Sequence, residues 1–307
     1  MGRHTSHADT SDLPFSYLIE NNSESFVVPG ANLRTVGTIR DAQKWPKRDL
    51  RKDPHKLDQI NYNLLSPYTV QKMWRGREIL IKLQNLSGTS TEVYGYHNCK
   101  IRNSSLRHGI SLYETGIAKF LGNSLITRLD NASFTNEEEL RAVLRPDTRK
   151  GSGEWVDMAG LIAPKQEVLA LIEDIEQDKV TLAQIQQRFE EMHQNYYTYE
   201  WTWVADKLEK VWGCPVDKVK VEQVVKAVEA WKKAVIGLDE MVYEDARKEF
   251  DLNSQTGFGV DGDASQRQAD FESVRGKFEN NAFVKAVSEH ITRKSQLGDR
   301  MLEKLKI

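Results

Sequence analysis

Residues 221–242 read VEQVVKAVEAWKKAVIGLDEMV, and Val221, Val224, Val228, Trp231, Val235, Leu238 and Val242 recur in them at alternating steps of three and four. That spacing winds one apolar stripe along a long helix, with Glu, Lys and Asp left on the other side. The preceding helical stretch carries two such stripes. Met192, Tyr196, Tyr199 and Trp203 form one, and Tyr197, Trp201, Val204 and Leu208 form the other. Two apolar faces require two packing neighbours, so this segment is expected to lie centrally, with Gly213 and Pro215 separating it from the next helix. The same aromatic residues suit stacking on carbohydrate, but the double stripe favours core packing. A short amphipathic face at Val168, Leu171, Ile172 and Ile175 precedes them, and Phe283, Val284, Val287, Ile291, Leu302 and Leu305 close the chain after a polar loop at 253–268.

Toward the N-terminus the pattern changes. Phe15–Glu20 and Ser25–Val28 are apolar-rich extended runs flanking Asn21, Asn22 and Ser23, which suit a turn. Ser66-Pro67 has the form of an N-cap followed by proline at the first helical position, and Gly88 is the matching stop. Val93, Tyr94 and Tyr96 favour a short strand, and Ser111–Leu129 is helical in composition. The expected fold is mainly α: a short N-terminal β segment, either the end of a β-helix or a hairpin, followed by a multi-helix region. Its divisions are read as a β-rich end at 1–31, a basic connecting segment at 32–56, a first helical region with a short strand at 57–150, and a bundle-like region at 151–307. Gly151, Gly153, Gly160 and Pro164 act as breakers at the last boundary.

With 307 residues, 39% hydrophobic and 29% charged, the composition is that of a soluble globular protein, and no apolar run approaches a bilayer span. The opening MGRHTS formally fits an acylation pattern through Gly2 and Ser6, but one acyl chain anchors only marginally. No cationic n-region leads an apolar core, so neither a secretory signal nor a membrane partner is expected. Two cysteines, Cys99 and Cys214, are too few for a disulfide framework or a thiolate metal site, which points to a reducing cytoplasm.

Charge is distributed unevenly. Between Ala31 and Ile60 lie eight Lys/Arg against four Asp, a local balance of +4 in a chain whose total is −2. Such an island holds an anion, either a ligand phosphate or the protein's own carboxylates. Arg34, Arg40, Lys44, Lys47 and Arg48 are the candidate anion-binding cations, with Trp45 placed to stack on a base or sugar ring. Pro46 argues for a turn at Trp45-Pro46 and a short helix from Lys47. Interleaved Asp41, Asp49 and Asp53 disfavour nucleic acid, which rewards uninterrupted positive charge.

Other motifs fit blander readings. Gly257 to Gly262 matches GxGxxG, yet it follows helix rather than strand and carries Asp261, so an acidic loop is expected, not a dinucleotide site. Glu190 and His193 have the Glu-x-x-His spacing of a di-iron ligand pair, but the motif occurs once where a bundle site needs two. No metal and no cofactor is assigned. His4, His7 and Asp9 have the spacing of a base and its orienting carboxylate, which makes His4 and His7 the catalytic candidates, although termini are usually loose.

MGRHTSHADTSDLPFSYLIE, VPGANLRTVGTIRDAQKWPKRDLR, LLSPYTVQKM, GSGEWVDMAGLIAPK, NYYTYEWTW, LDEMVYEDARKEF and TGFGVDG together resemble a family of uncharacterised bacterial proteins. Its longer members carry an N-terminal region similar to the left-handed β-helix of hexapeptide-repeat acyltransferases and sugar-nucleotide enzymes. The resemblance implies that this sequence corresponds to the C-terminal half, starting at an internal Met, and would place His4 and His7 on ordered structure leaving a β-helix coil. Two readings follow. One is an accessory helical region that binds a phosphorylated sugar or nucleotide-sugar through the basic island. The other is a non-enzymatic assembly module, a homo-oligomer among its forms, whose basic segment docks acidic helices of its own or a neighbouring chain.

Overall fold

A computed structural model describes residues 8–53 and 56–307. Strands β1 (Tyr17–Asn21) and β2 (Glu24–Val28) pair antiparallel around Asn22 and Ser23, whose φ angles of 52° and 65° are those of a tight hairpin turn. The strand starts at Tyr17, later than expected, because Phe15 adopts a positive φ of 59°. Helix α1 (Val36–Arg48) follows a short 3-10 turn and runs through Pro46 without the expected turn at Trp45. Proline in a last helical turn removes one backbone donor and leaves the preceding turns intact.

Helix α2 (Pro67–Ser87) begins as its sequence predicts. The Ser66 hydroxyl accepts from the Thr69 amide, the Thr69 hydroxyl accepts from the Ser66 amide, and Pro67 opens the first turn. Strands β3 (Val93–Tyr96) and β4 (Cys99–Arg102) form a second hairpin, and β4 lies parallel beside β2 to give a four-stranded sheet of order β1-β2-β4-β3. Helix α3 (Asn103–Asp130) is the axis of the molecule, packing against α2 and against the helices at 196–212 and 221–247. Helix α4 (Glu137–Leu144) comes next, capped by Asn136.

The segment read as a run of breakers is a hairpin, β5 (Trp155–Met158) with β6 (Leu161–Pro164), turned at Ala159 and Gly160. Helices α5 (Lys165–Glu176), α6 (Leu182–Gln194) and α7 (Tyr196–Trp212) follow. Only half of the stripe on α5 is covered: Val168 and Leu171 are buried while Ile172 and Ile175 are exposed. Met192 and Tyr196 lie on separate helices, divided at Asn195, whose backbone and side-chain N–H groups both donate to the Glu191 carbonyl at the end of α6. Helix α8 (Val221–Arg247) buries Val224, Val228, Trp231, Val235, Leu238 and Val242, the stripe its spacing predicts. Helix α9 (Ala264–Arg275) starts inside the stretch read as a polar loop, with Asp263 accepting from the Ser265 and Gln266 amides, and α10 (Ala282–Lys304) ends the fold against α8.

The chain is mainly α-helical with small sheets. Its largest apolar core runs from Leu13 to Leu305 and includes the fully buried Tyr113, Trp155, Trp203 and Trp231. A smaller cluster of Val36, Val242, Ala246 and Val284 joins α1 to α8 and α10. Where α3 crosses α8, Gly122 lets the Trp231 indole lie against the helix backbone; a Cβ there would sit 2.3 Å from the Cβ of Trp231.

Candidate functional site

Along α3, Lys119, Asn123, Ser124, Thr127, Arg128 and Asn131 recur at steps of four, one, three, one and three. This spacing gathers them on one helix face, a polar stripe about 18 Å long at 1.5 Å rise per residue. The opposite wall comes from α7, through Tyr197, Thr198, Glu200 and Trp201, and from the segment Asn63 to Leu65. Between them lies a cleft of about 650 Å³, closed by Leu33, Ile39 and Leu238 and bordered by Asp147. That volume falls in the range of sites for small molecules and cofactors.

Several polar groups of the cleft have definite partners. Trp231 Nε1 donates to Asn123 Oδ1 at 2.8 Å, which fixes the amide orientation from behind. Ser124 Oγ donates to Glu200 Oε1 at 2.8 Å. Glu200 is only 8% exposed, and burial raises its carboxyl above the usual carboxylate range, an effect the Ser124 hydroxyl offsets in part. The Tyr196 hydroxyl, buried beside this carboxyl, is pushed upward by burial and by Glu200 itself. Arg128 is committed: it donates to both Asp147 oxygens at 2.7 Å and to the Val143 and Arg145 carbonyls, with its guanidinium over the Trp201 ring. The Arg128 guanidinium holds the Asp147 carboxyl low. Lys119 lies 3.7 Å from Asp239, which also contacts His290 Nδ1 at 2.6 Å. Lys294, whose pKa burial and then the Lys119 charge depress, joins this group at the α3, α8 and α10 junction. Three basic side chains thus surround one carboxylate at the Lys119 end of the cleft.

The basic segment is distributed along α1 rather than gathered at one point. Arg40 makes a two-pronged pair with Glu249, at 2.6 and 3.1 Å, and lies over the Phe283 ring. Lys44 pairs with Asp41, and Lys44 and Arg48 both approach the ring of Trp45, which is 54% exposed. Lys47 is exposed, and Arg34 lies near enough to His108 to depress its pKa after burial has done so. The Asp245 carboxylate accepts from the Val36 amide and fixes the start of α1 on α8. Arg51 turns back on Asp49, whose carboxyl it holds far below the usual range.

His4 and His7, the candidate base residues, lie outside the described residues. Asp9 accepts from the Ser11 amide and hydroxyl. The GxGxxG stretch forms turns between a 3-10 segment and α9, with no strand before it. Glu190 and His193 stand on α6, where burial lowers the His193 pKa. Among the described residues no cluster of three or more His, Cys, Asp or Glu side chains is arranged for a metal. Reading the sequence missed the cleft entirely. The polar stripe of α3 was its one local signal, and an ordinary solvated helix face has the same spacing.

A family model described as Domain of unknown function (DUF6819) matches residues 136–305, more than half of the sequence. The chain belongs to that family. A second model, Domain of unknown function (DUF4954), matches residues 1–84. No curated protein and no solved structure matches the chain. Leu33, Ile39 and Asn63 to Leu65 fall in the second matched segment, and Asp147, Tyr197 to Trp201 and Leu238 fall in the first. The cleft therefore lies where the two matched segments meet, with α3 between them. Among the described residues no helix is long and apolar enough to cross a membrane.

Proposed function

We propose that this family member is a helical module that binds a phosphorylated sugar or nucleotide-sugar in the cleft between α3 and α7. The observation that carries this reading is the composition of the cleft: one volume joins the exposed Tyr197 ring, amides and hydroxyls, and a cationic end at Lys119. Tyr197 offers a face for a sugar ring or base, and Asn63, Asn123 and Thr127 offer hydrogen bonds that fix its orientation. Lys119, which shares the single Asp239 of α8 with His290 of α10, supplies the positive charge for the phosphate. The cations of α1 contribute long-range attraction rather than a direct grip, since Arg40 and Lys44 already hold carboxylates. The upstream β-helix that the family resemblance implies would be the partner region for such an accessory module. A reducing cytoplasm suits the free Cys99 and Cys214.

Tyr197 provides the test, because it is 67% exposed and its removal spares the core. Titration calorimetry with glucose, mannose and galactose phosphates should show binding to the unaltered chain. Tyr197→Ala should weaken it about tenfold, the equivalent of ~1.4 kcal/mol of lost stacking. Equal affinity in the variant would remove Tyr197 from the site, and no binding of any sugar phosphate would end this reading.

The Arg40–Glu249 pair favours a second reading, an assembly module in which basic and acidic surfaces dock. In the fold this contact is made within one chain, between α1 and the end of α8. Extended to neighbouring chains, it predicts oligomers whose mass by light scattering falls as salt is added. A single mass at every ionic strength would rule that extension out.

A further inference from the structure

We infer that Glu200 meets the ligand as a neutral carboxylic acid, donating a hydrogen bond from the cleft wall to an acceptor oxygen of the sugar. This rests on the cleft being the sugar-phosphate site. Glu200 stands in the second turn of α7, more than nine-tenths buried, and still lines the cleft. A carboxyl so placed needs a counter-charge if it is to ionise. Among the described residues no lysine or arginine lies within ion-pair distance of it. Both cations of the cleft are directed elsewhere, Lys119 to Asp239 and Arg128 to Asp147.

The groups that face Glu200 are the Ser124 hydroxyl from α3 and the Tyr196 hydroxyl from its own helix, neither of them charged. Further along the walls stand Asn63, Asn123, Lys119 and the neutralised Arg128–Asp147 pair. Ser124 occupies Oε1 at 2.8 Å, so the proposed acid proton is placed on the other oxygen. A neutral acid in a dry site is a strong hydrogen-bond donor, a role that buried carboxyls fill when no base is needed. It discriminates between ligands as well. An oxygen that can only accept is favoured, whereas an ammonium-bearing sugar would lack the carboxylate it needs.

Glu200→Gln keeps the shape, leaves an oxygen for Ser124 and presents an amide donor that does not titrate. Two measurements on the full chain decide the matter. In infrared difference spectra, the unaltered protein should show the carbonyl band of a protonated carboxylic acid at neutral pH, absent from Glu200→Gln. In calorimetric titrations with the same hexose phosphates, the affinity of the unaltered protein should fall toward tenfold per pH unit on the alkaline side, relative to the variant. Glu200→Gln should match the acid-side affinity within about threefold, a difference of ~0.7 kcal/mol. A missing band, a pH profile shared with the variant, or a tenfold loss in Glu200→Gln would each overturn the inference while leaving the cleft reading in place. A chain that binds no hexose phosphate would overturn the cleft reading, and the inference with it.

Discussion

Replacing Trp231 with alanine should destabilise the protein by about 3–5 kcal/mol, the range for removing a large aromatic from a packed core. Trp231 has no exposed surface and sits where α8 crosses α3. The glycine opposite, Gly122, exists to admit the indole, so truncation leaves a void that neither helix can close without shifting. The indole is also the donor that holds Asn123. Urea denaturation followed by circular dichroism should show the midpoint moving to lower urea with little change of slope. Trp231→Phe, which restores much of the volume but not the donor, should recover most of the loss. If Trp231→Ala unfolded at the same midpoint as the unaltered protein, the α3–α8 contact could not be the centre of the core.

Gly151→Ala should be nearly as damaging, for a different reason. The φ of Gly151 is +106°, a conformation that costs other residues about 1–3 kcal/mol. A Cβ at this position would lie 2.1 Å from the Tyr199 carbonyl oxygen, which is backbone and cannot rotate away. Relief of that overlap adds about 1–3 kcal/mol, since α7 must move as a unit. Tyr199 precedes Glu200, so the displaced helix also carries the cleft wall with it. Gly213 supplies the control, because its φ is +71° and nothing lies within 4 Å of a Cβ there. Gly213→Ala should show only the local conformational cost of about 1–2 kcal/mol. Equal midpoints for the two variants in urea would mean that the Gly151 contact adds nothing beyond its φ.

The local features of the fold were legible because each depends on neighbours in the chain. The stripe of α8, the Ser66-Pro67 start of α2 and the turn at Asn22-Ser23 are set by spacing, capping and φ preference. Pro46 misled because its cost depends on position in a helix, and a last turn tolerates it. The hairpin at 155–164 was hidden by reading Gly160 and Pro164 as breaks, when Gly160 marks the turn between two strands. Helix α9 was missed because its Asp263 cap stands amid polar residues that form no clear stripe.

The double aromatic stripe of α7 predicted a helix covered on both sides, and most of it is: Tyr199, Trp201, Trp203, Val204 and Leu208 are buried. Tyr197 is the exception, and it borders the cleft. No local rule separates a tyrosine awaiting a packing partner from one facing a cavity.

From the sequence alone came the helical class, the placement of the N-terminal β segment, and the excess positive charge at 31–60. Helix periodicity and formal charge are properties of adjacent residues, so they survive without a fold. The tertiary structure decided where that charge is directed and where a ligand site lies. Arg40 meets Glu249 across 209 positions, and Ser124 meets Glu200 across 76. Whether a polar helix face is bathed in water or closed into a cleft depends on such distant contacts, which only the packing of α7 against α3 brings about.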